Sequence, residues 1–317
     1  MNKIAVKVSE ISEINSQVKC FSFVRLDGKL MFPFSGGAHT VVEMNDHGTK
    51  RQNAYSLMGS PYDLSSYSIS VRRDDEGRGG SDYMHVHVKK GMEMVISNPV
   101  NLFALNQLAR KHMFIAGGIG ITPFLAQMKQ LSVANGSFEL HYAVHTEALG
   151  PYINEITQQY PKNSHIYCSD KQQRIDFESL LDNQPLGTHV YICGPKSMIN
   201  AVKSTAADLG WSNENIHYEE FLSPERGEAF EVKLDASNKT VQVGEQQSLL
   251  EALEAAEVDV PYLCRGGACG QCETEVLSSD GKFSHNDHWL TEDEKFSGKK
   301  IMPCVSRFEG KTLVLDR

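Results

Sequence analysis

Over the first hundred residues, apolar and polar positions alternate in short runs. KIAVKVSEI (3–11), KCFSFVRL (19–26), HTVVEM (39–44), YSISVRR (67–73) and MHVHVKK (84–90) each keep a period of two, and Gly28, Gly36, Gly37 and Gly91 stand between them. That period places alternate side chains on opposite faces, so these runs predict strands. Their close spacing predicts an antiparallel barrel or sandwich.

The pattern changes near residue 108. HMFIAGGIGITPFLAQMKQL (112–131) is an apolar run, a glycine turn and an amphipathic helix. FELHYAVHT (138–146), SHIYCSD (164–170) and THVYICGP (188–195) are further apolar runs, separated by the helical stretches PYINEITQQY (151–160) and KSMINAVKSTAADLG (196–210). Alternating strands and helices predict a doubly wound parallel sheet, ending near NIHYEEFL (215–222). The polar segment SPERGE (223–228) reads as a linker. Beyond it, AFEVKLDASNKTVQV (229–243) predicts a hairpin turning near Asn238. Ser248 is placed to cap a helix with Leu249, Leu250 and Leu253 on one stripe, and Pro261 follows its end. A last strand is expected within 304–317. The chain is thus read as 1–107, 108–222 and 229–317, with 223–228 as the joint: a barrel, an α/β domain and a small α+β domain.

A length of 317 residues with 40% apolar and 22% charged side chains suits a multidomain globular chain. No run approaches the roughly 20 apolar residues that span a bilayer, and the N-terminus has no apolar signal core. A cytoplasmic protein is expected, in which seven cysteines, an odd number, stay as thiols or metal ligands. Net charge is −9, and residues 229–317 carry 16 acidic and 10 basic side chains, a net of −6. Nucleic acid is a poor partner for such a surface; a positively charged protein is a better one.

The densest chemistry is CRGGACGQC (264–272). Cys264, Cys269 and Cys272, with Cys304 after 31 residues, match the C-x4-C-x2-C…C spacing of plant-type [2Fe–2S] ligands. Gly266, Gly267 and Gly270 let the backbone wrap a negatively charged cluster with its N–H groups inward. Structural zinc pairs two short knuckles, whereas Cys304 stands alone. His285 and His288 offer nitrogen ligands but leave Cys304 unexplained. A redox pair Cys269-x2-Cys272 lacks the strand–helix context it needs.

In the middle region, Gly117, Gly118 and Gly120, followed by Thr122 and Pro123, open a helix after an apolar strand. Cys193, Gly194 and Pro195, with Met198 behind them, do the same at a second strand end. Glycine turns at helix N-termini beyond the carboxyl ends of parallel strands are where dinucleotide phosphates bind. Asp170 favours the ribose of NAD, while Lys171 and Arg174 favour the 2′-phosphate of NADP, so both coenzymes stay open.

Two further stretches, RQNAYSL (51–57) and GRGGS (77–81), complete a set. Together with GGIGITP, CGPxxM and the cysteine spacing, they make the whole chain resemble the phthalate dioxygenase reductase family. That resemblance implies an FMN-binding barrel, an NAD domain and a plant-type ferredoxin domain of β-grasp type, in this order. It assigns FMN to Arg51, Asn53, Ala54, Tyr55, Ser56, Arg72, Gly79, Gly80 and Ser81, with the ring on Tyr55 and Ser56 and the phosphate near Gly79, Gly80 and Ser81. Thr122 falls at the flavin–nicotinamide junction, and Cys193 either lines the nicotinamide pocket or is simply a small buried residue. Phe221 matches a position lying against the flavin, and without the resemblance it reads as a core aromatic. The family usually shows Arg-x-Tyr-Ser, but Asn53 holds the arginine slot here. Arg51, Arg72, Arg73 or Arg78, or backbone N–H groups alone, must then meet the phosphate.

Within the family, NAYSLMGSP is most similar to the reductases of carnitine monooxygenases. The resemblance implies hydride transfer from NADH or NADPH to FMN, then single electrons through [2Fe–2S] to a Rieske-type oxygenase that splits carnitine into trimethylamine and malic semialdehyde. A reductase for another oxygenase, such as vanillate demethylase, and a non-catalytic electron carrier are the competing readings.

Overall fold

The computed structural model describes residues 3–46, 49–222, 224 and 226–317. Of the expected joint, Ser223 and Glu225 lie outside the described residues.

Strands β1 (Lys3–Glu13), β2 (Val18–Arg25), β3 (Ala38–Asp46), β4 (Thr49–Ser56), β5 (Tyr67–Arg72), β6 (Glu93–Ser97) and β7 (Val100–Asn101) form one antiparallel sheet. Its order is β4-β3-β6-β1-β2-β5, with β7 on β3, and it curls into a nearly closed barrel. Alternation in β1 buries Ile4, Val6 and Val8, which meet Phe21, Phe23, Ile69 and Ile96 inside. Each such fully buried side chain contributes about 1.5–3 kcal/mol of transfer free energy.

The run MHVHVKK is not a strand. Residues Gly80–Val86 form helix α1. Gly79 precedes it at φ 94°, in the left-handed region, and Gly80 carries no Cβ into Asn53, whose Nδ2 lies 2.5 Å from where one would be. Tyr83, Met84 and Val88 face the core while Val86 is 51% exposed, so burial follows helical spacing. The alternation of Met84, Val86 and Val88 imitated a period of two over too few residues to distinguish the two.

The second sheet is parallel, in the order β10-β9-β8-β11-β12, from β8 (Lys111–Gly117), β9 (Phe138–Val144), β10 (Ser164–Cys168), β11 (Thr188–Cys193) and β12 (Ile216–Glu219). One face packs Phe114, Leu140, Tyr142 and Tyr191 against α2 (Thr122–Val133) and α3 (Ile153–Gln159). The other packs Met113, Ile115, Val190 and Ile192 against α4 (Phe177–Asp182) and α5 (Lys196–Asp208). Helices on both faces make the sheet doubly wound, as expected.

The third unit has strands β13 (Phe230–Leu234), β14 (Lys239–Val243), β15 (Thr274–Ser279), β17 (Lys300–Ile301) and β19 (Thr312–Leu315) in the order β14-β13-β19-β15-β17. A separate pair joins β16 (Lys282–Ser284) to β18 (Arg307–Glu309). The parallel pairing of β13 with β19, among antiparallel neighbours, is the β-grasp arrangement. Helix α6 (Leu249–Ala255) buries Leu249, Leu250 and Leu253 on this sheet. Ser248 and Glu251 close a reciprocal capping box at its start. Helix α7 (Glu292–Ser297) is short and exposed. Among the described residues no helix is long and apolar enough to cross a membrane.

Candidate functional site

The three units meet around one cavity of about 520 Å³. Strand β4 lines it with Arg51 to Ser56, β5 with Ser70 and Arg72, and the turn before α1 with Gly80 and Ser81. The parallel-sheet unit adds Ile119, Thr122 and Tyr218 to Phe221. The third unit closes it with Cys264, Arg265, Gly266, Ala268 and Cys304. Sites of this size commonly hold a cofactor at a domain junction.

On β4, Arg51, Asn53 and Tyr55 alternate along one face. Asn53 Nδ2 donates to the Tyr55 hydroxyl at 3.3 Å, and burial pushes the Tyr55 phenol up to about 12. The arginine question narrows. Arg73 is occupied by Asp75 at 2.8 Å and Asp82 at 3.1 Å, and Arg78 by Glu251 at 2.6 Å. Arg51 lies beside Gly79, with Nε 3.8 Å from its would-be Cβ, and that Nε is buried with no hydrogen-bond partner. Arg72 lines the cavity from an exposed position. A buried guanidinium N–H aimed at a glycine turn suits a phosphate. The Ser81 hydroxyl accepts from the Asp74 N–H at 3.0 Å and so also shapes that turn.

The cysteines converge as two touching pairs, Cys264 with Cys269 and Cys272 with Cys304, none of them in a disulfide. Cys264, Cys272 and Cys304 are buried and Cys269 is partly exposed. The Cys264 sulfur accepts from Gly266 N–H at 3.3 Å and Ala268 N–H at 3.4 Å. The Cys269 thiol, with these donors behind it, holds the Cys264 thiol down at about 5. Gly267 at φ 71° and Gly270 at φ 74° turn the loop. A Cβ on Gly270 would come within 2.2 Å of the Trp289 ring, so the indole needs that glycine to lie on the loop. Four sulfurs and inward N–H groups are the donor set of an iron–sulfur cluster. His285 and His288 do not join them: His285 faces Asp287 at 3.7 Å and His288 Nε2 lies 2.9 Å from Glu220.

The two glycine turns pack on each other rather than on the cavity wall. A Cβ on Gly120 would lie 2.2 Å from the Cys193 carbonyl oxygen; on Gly117, 2.6 Å from Pro195 Cδ and 3.2 Å from Met198 Cε; on Gly194, 3.0 Å from the Gly117 nitrogen. Gly118, at φ 54°, alone faces open space. Cys193 is fully buried with its thiol pushed up by that burial, and it does not line the cavity. Thr122 does line it, but its hydroxyl donates to the Ile119 carbonyl at 3.0 Å. Phe221 is 49% exposed on the cavity wall, which removes its reading as a core aromatic. Asp170 donates its backbone N–H to His145, and Lys171 pairs with Glu147 at 2.8 Å.

Two cavity residues carried no signal in the sequence. His39, in β3, is buried with Nε2 unpartnered, and burial lowers it to about 4. Glu219, in β12, is buried with Oε2 unpartnered; desolvation first, then the nearby Cys264, push it up to about 8. It keeps its proton at neutral pH. The carboxyl's pKa in the folded state stands above the ordinary 4.5, so stability is greatest below that value and is lost as pH rises through about 8. Glu219→Gln is therefore expected to flatten the fall of melting temperature from about pH 6 to about pH 9, measured by calorimetry. An unchanged slope would show that Glu219 ionises without cost.

Residues 94–216 match the N-terminal domain family of dimethylamine monooxygenase subunit DmmA-like proteins, and residues 232–309 match the 2Fe-2S iron-sulfur cluster binding domain family. The chain is 44% identical to the carnitine monooxygenase reductase subunit of Acinetobacter baumannii, over 98% of this chain and 96% of that one. It is also 44% identical to the heme-dependent oxidative N-demethylase beta subunit of Ectopseudomonas mendocina, over 98% of each. The solved phthalate dioxygenase reductase, a modular structure for electron transfer from pyridine nucleotides to [2Fe–2S], matches with a TM-score of 0.90. That match has 31% identity and covers 100% of this chain and 98% of the other. With its barrel, doubly wound sheet and cysteine loop in the same order, the chain belongs to the phthalate dioxygenase reductase family of oxygenase reductases.

Proposed function

We propose that this chain takes electrons from NADH and delivers them to a Rieske-type oxygenase acting on carnitine. The single observation that carries the route is the shared cavity, whose wall holds Tyr55 and Ser56, Thr122 and Phe221, and Cys264 and Cys304 together. In this reading the chain divides as 1–107, 108–222 and 229–317, with 223–228 as the joint. FMN belongs to Arg51–Ser56 and the 79–81 turn, and the cluster to Cys264, Cys269, Cys272 and Cys304.

When bound, FMN accepts a hydride's two electrons and the cluster passes them on one at a time. The protein's own part is positioning. Arg51 and the Gly79–Ser81 turn anchor the phosphate, while Asn53 and Tyr55 orient the ring side. Open space at Gly118 leaves room for a dinucleotide backbone beside α2. Phe221, half-exposed on the cavity wall, is placed to lie against the flavin ring. The Gly266 and Ala268 N–H groups stabilise thiolate charge on Cys264. No side chain need act as acid or base along this route.

Loss of Arg51 should show first in flavin retention. A charge-assisted hydrogen bond contributes about 1.5–3 kcal/mol, so Arg51→Met is expected to weaken FMN binding about 10- to 100-fold. Flavin fluorescence released on dialysis measures it, and retention equal to wild type would move the phosphate to Arg72 or to backbone N–H groups alone.

The route itself is tested by visible spectra before and after anaerobic NADH. Bleaching of both flavin and cluster bands is expected; an inert spectrum rejects it. The acceptor is tested by pairing the protein with a carnitine oxygenase and measuring trimethylamine. A second reading rests on the equal 44% identity to the N-demethylase subunit and on the dimethylamine monooxygenase match. It makes the acceptor a haem-containing amine demethylase. Formaldehyde release with that enzyme, and no trimethylamine with the first, would favour it.

A further inference from the structure

We propose that Glu139, His141 and His165 form a binding site for one divalent transition metal of the Zn2+ or Ni2+ class, on the nucleotide-domain sheet. Residues two apart on a strand share a face, and neighbouring strands lie about 4.8 Å apart. Glu139 and His141 are two apart on β9, and His165 on β10 is the register partner of His141. His141 pairs in register with Ile115, so the three side chains stand on the face that carries α4 and α5.

The donor atoms converge. His141 Nε2 lies 3.0 Å and His165 Nε2 3.4 Å from the same oxygen, Glu139 Oε1, and the three lie within 4.8 Å of one another. Bonds of about 2.0–2.1 Å at a tetrahedral angle put ligand atoms about 3.3 Å apart. The surroundings also suit a metal. His141 Nδ1 meets the Tyr167 hydroxyl at 2.9 Å, the outer bond that fixes a ligating imidazole with Nε2 free to coordinate. Lys111 occupies the other carboxylate oxygen at 2.5 Å and itself meets Gln184 at 3.0 Å, so Glu139 offers Oε1 alone. His141 is 4% exposed, whereas the His165 side chain is 48% exposed. The two rings lie 14° from parallel, 4.8 Å apart, and the exposed one can turn its lone pair onto the ion. Two imidazoles with one carboxylate suit Zn2+ or Ni2+ over Mg2+ or Ca2+. A bound ion would fasten edge strand β10 to β9.

The test is calorimetric titration of ZnCl2 into FMN- and cluster-loaded protein in chelator-free buffer, with the cluster absorbance followed throughout. One saturable equivalent is expected at constant cluster absorbance. His165→Ala, at an exposed position that leaves the fold intact, and Glu139→Gln should each weaken it at least about tenfold, and Tyr167→Phe by about tenfold. Zinc should also raise the melting temperature of wild type but not of His165→Ala. The proposal is overturned by no saturable equivalent, by equal binding in His165→Ala, or by uptake matched to cluster bleaching, which would place the zinc on the cysteines.

Discussion

Cys272→Ser should yield a yellow protein that NADH still reduces but that has lost the cluster's absorption and passes no electrons to an oxygenase. Cys272 is 2% exposed and in contact with Cys304, at the inner side of the sulfur set. Serine is nearly isosteric, but its hydroxyl ionises far less readily than a thiol, so the fourth bond to iron is lost or greatly weakened. Cys272 does not line the cavity that Arg51 to Ser56 line, so flavin content and its reduction by NADH should match wild type. Iron and acid-labile sulfide analysis, anaerobic reduction spectra and turnover with the oxygenase read the three quantities separately. Oxygenase turnover should fall to background. Turnover near wild type in a cluster-free preparation would mean that electrons leave from the flavin directly, and the relay would be wrong.

The sequence is most informative where chemistry forces residue type and spacing together. The cysteine loop is legible because four thiols and three glycines admit few other uses, and Ser248 because a cap followed by Glu251 and a leucine stripe is a local signal. The parallel sheet is legible from its apolar runs. Helix α1 is not, because a seven-residue element offers too little length for its period to emerge. The glycines at 117, 120 and 194 show why a motif is not yet a contact. Their lack of a side chain is required by one turn lying against the other, a tertiary approach no local pattern reveals. His39 and Glu219 are invisible for a related reason. Each sits in an ordinary strand, and only the assembly of three units around one cavity leaves their polar atoms buried without partners.

Within that assembly Arg78 and Glu251 form a buried ion pair between units, and Arg78→Met should uncouple the flavin from the cluster. Arg78 Nη1 donates to Glu251 Oε2 at 2.6 Å and to the Gln246 carbonyl at 2.9 Å, and Nη2 reaches Oε1 at 3.3 Å. Both side chains are under a tenth exposed, at 9% and 7%, although they belong to different units. Arg78 precedes the Gly79–Ser81 turn, and Glu251 closes the α6 capping box through the Ser248 N–H at 2.8 Å. The turn assigned to the flavin phosphate thus also grips the cluster unit. Arg226, within the joint, adds a bond to the Gly77 carbonyl. Removing one partner of a buried pair costs about 3–5 kcal/mol, because the other charge is left uncompensated. Here the cost falls on a contact between units, where Glu251 can regain water if they separate. Even about 3 kcal/mol would cut the closed population more than 100-fold relative to the open one. Stopped-flow spectra should show flavin reduction by NADH within about twofold of wild type, and cluster reduction slowed by at least about tenfold. Glu251→Gln, which keeps an acceptor for the Ser248 N–H, should slow the cluster less. A cluster reduced at the wild-type rate in Arg78→Met, with FMN content unchanged, would show that the units stay docked without the pair.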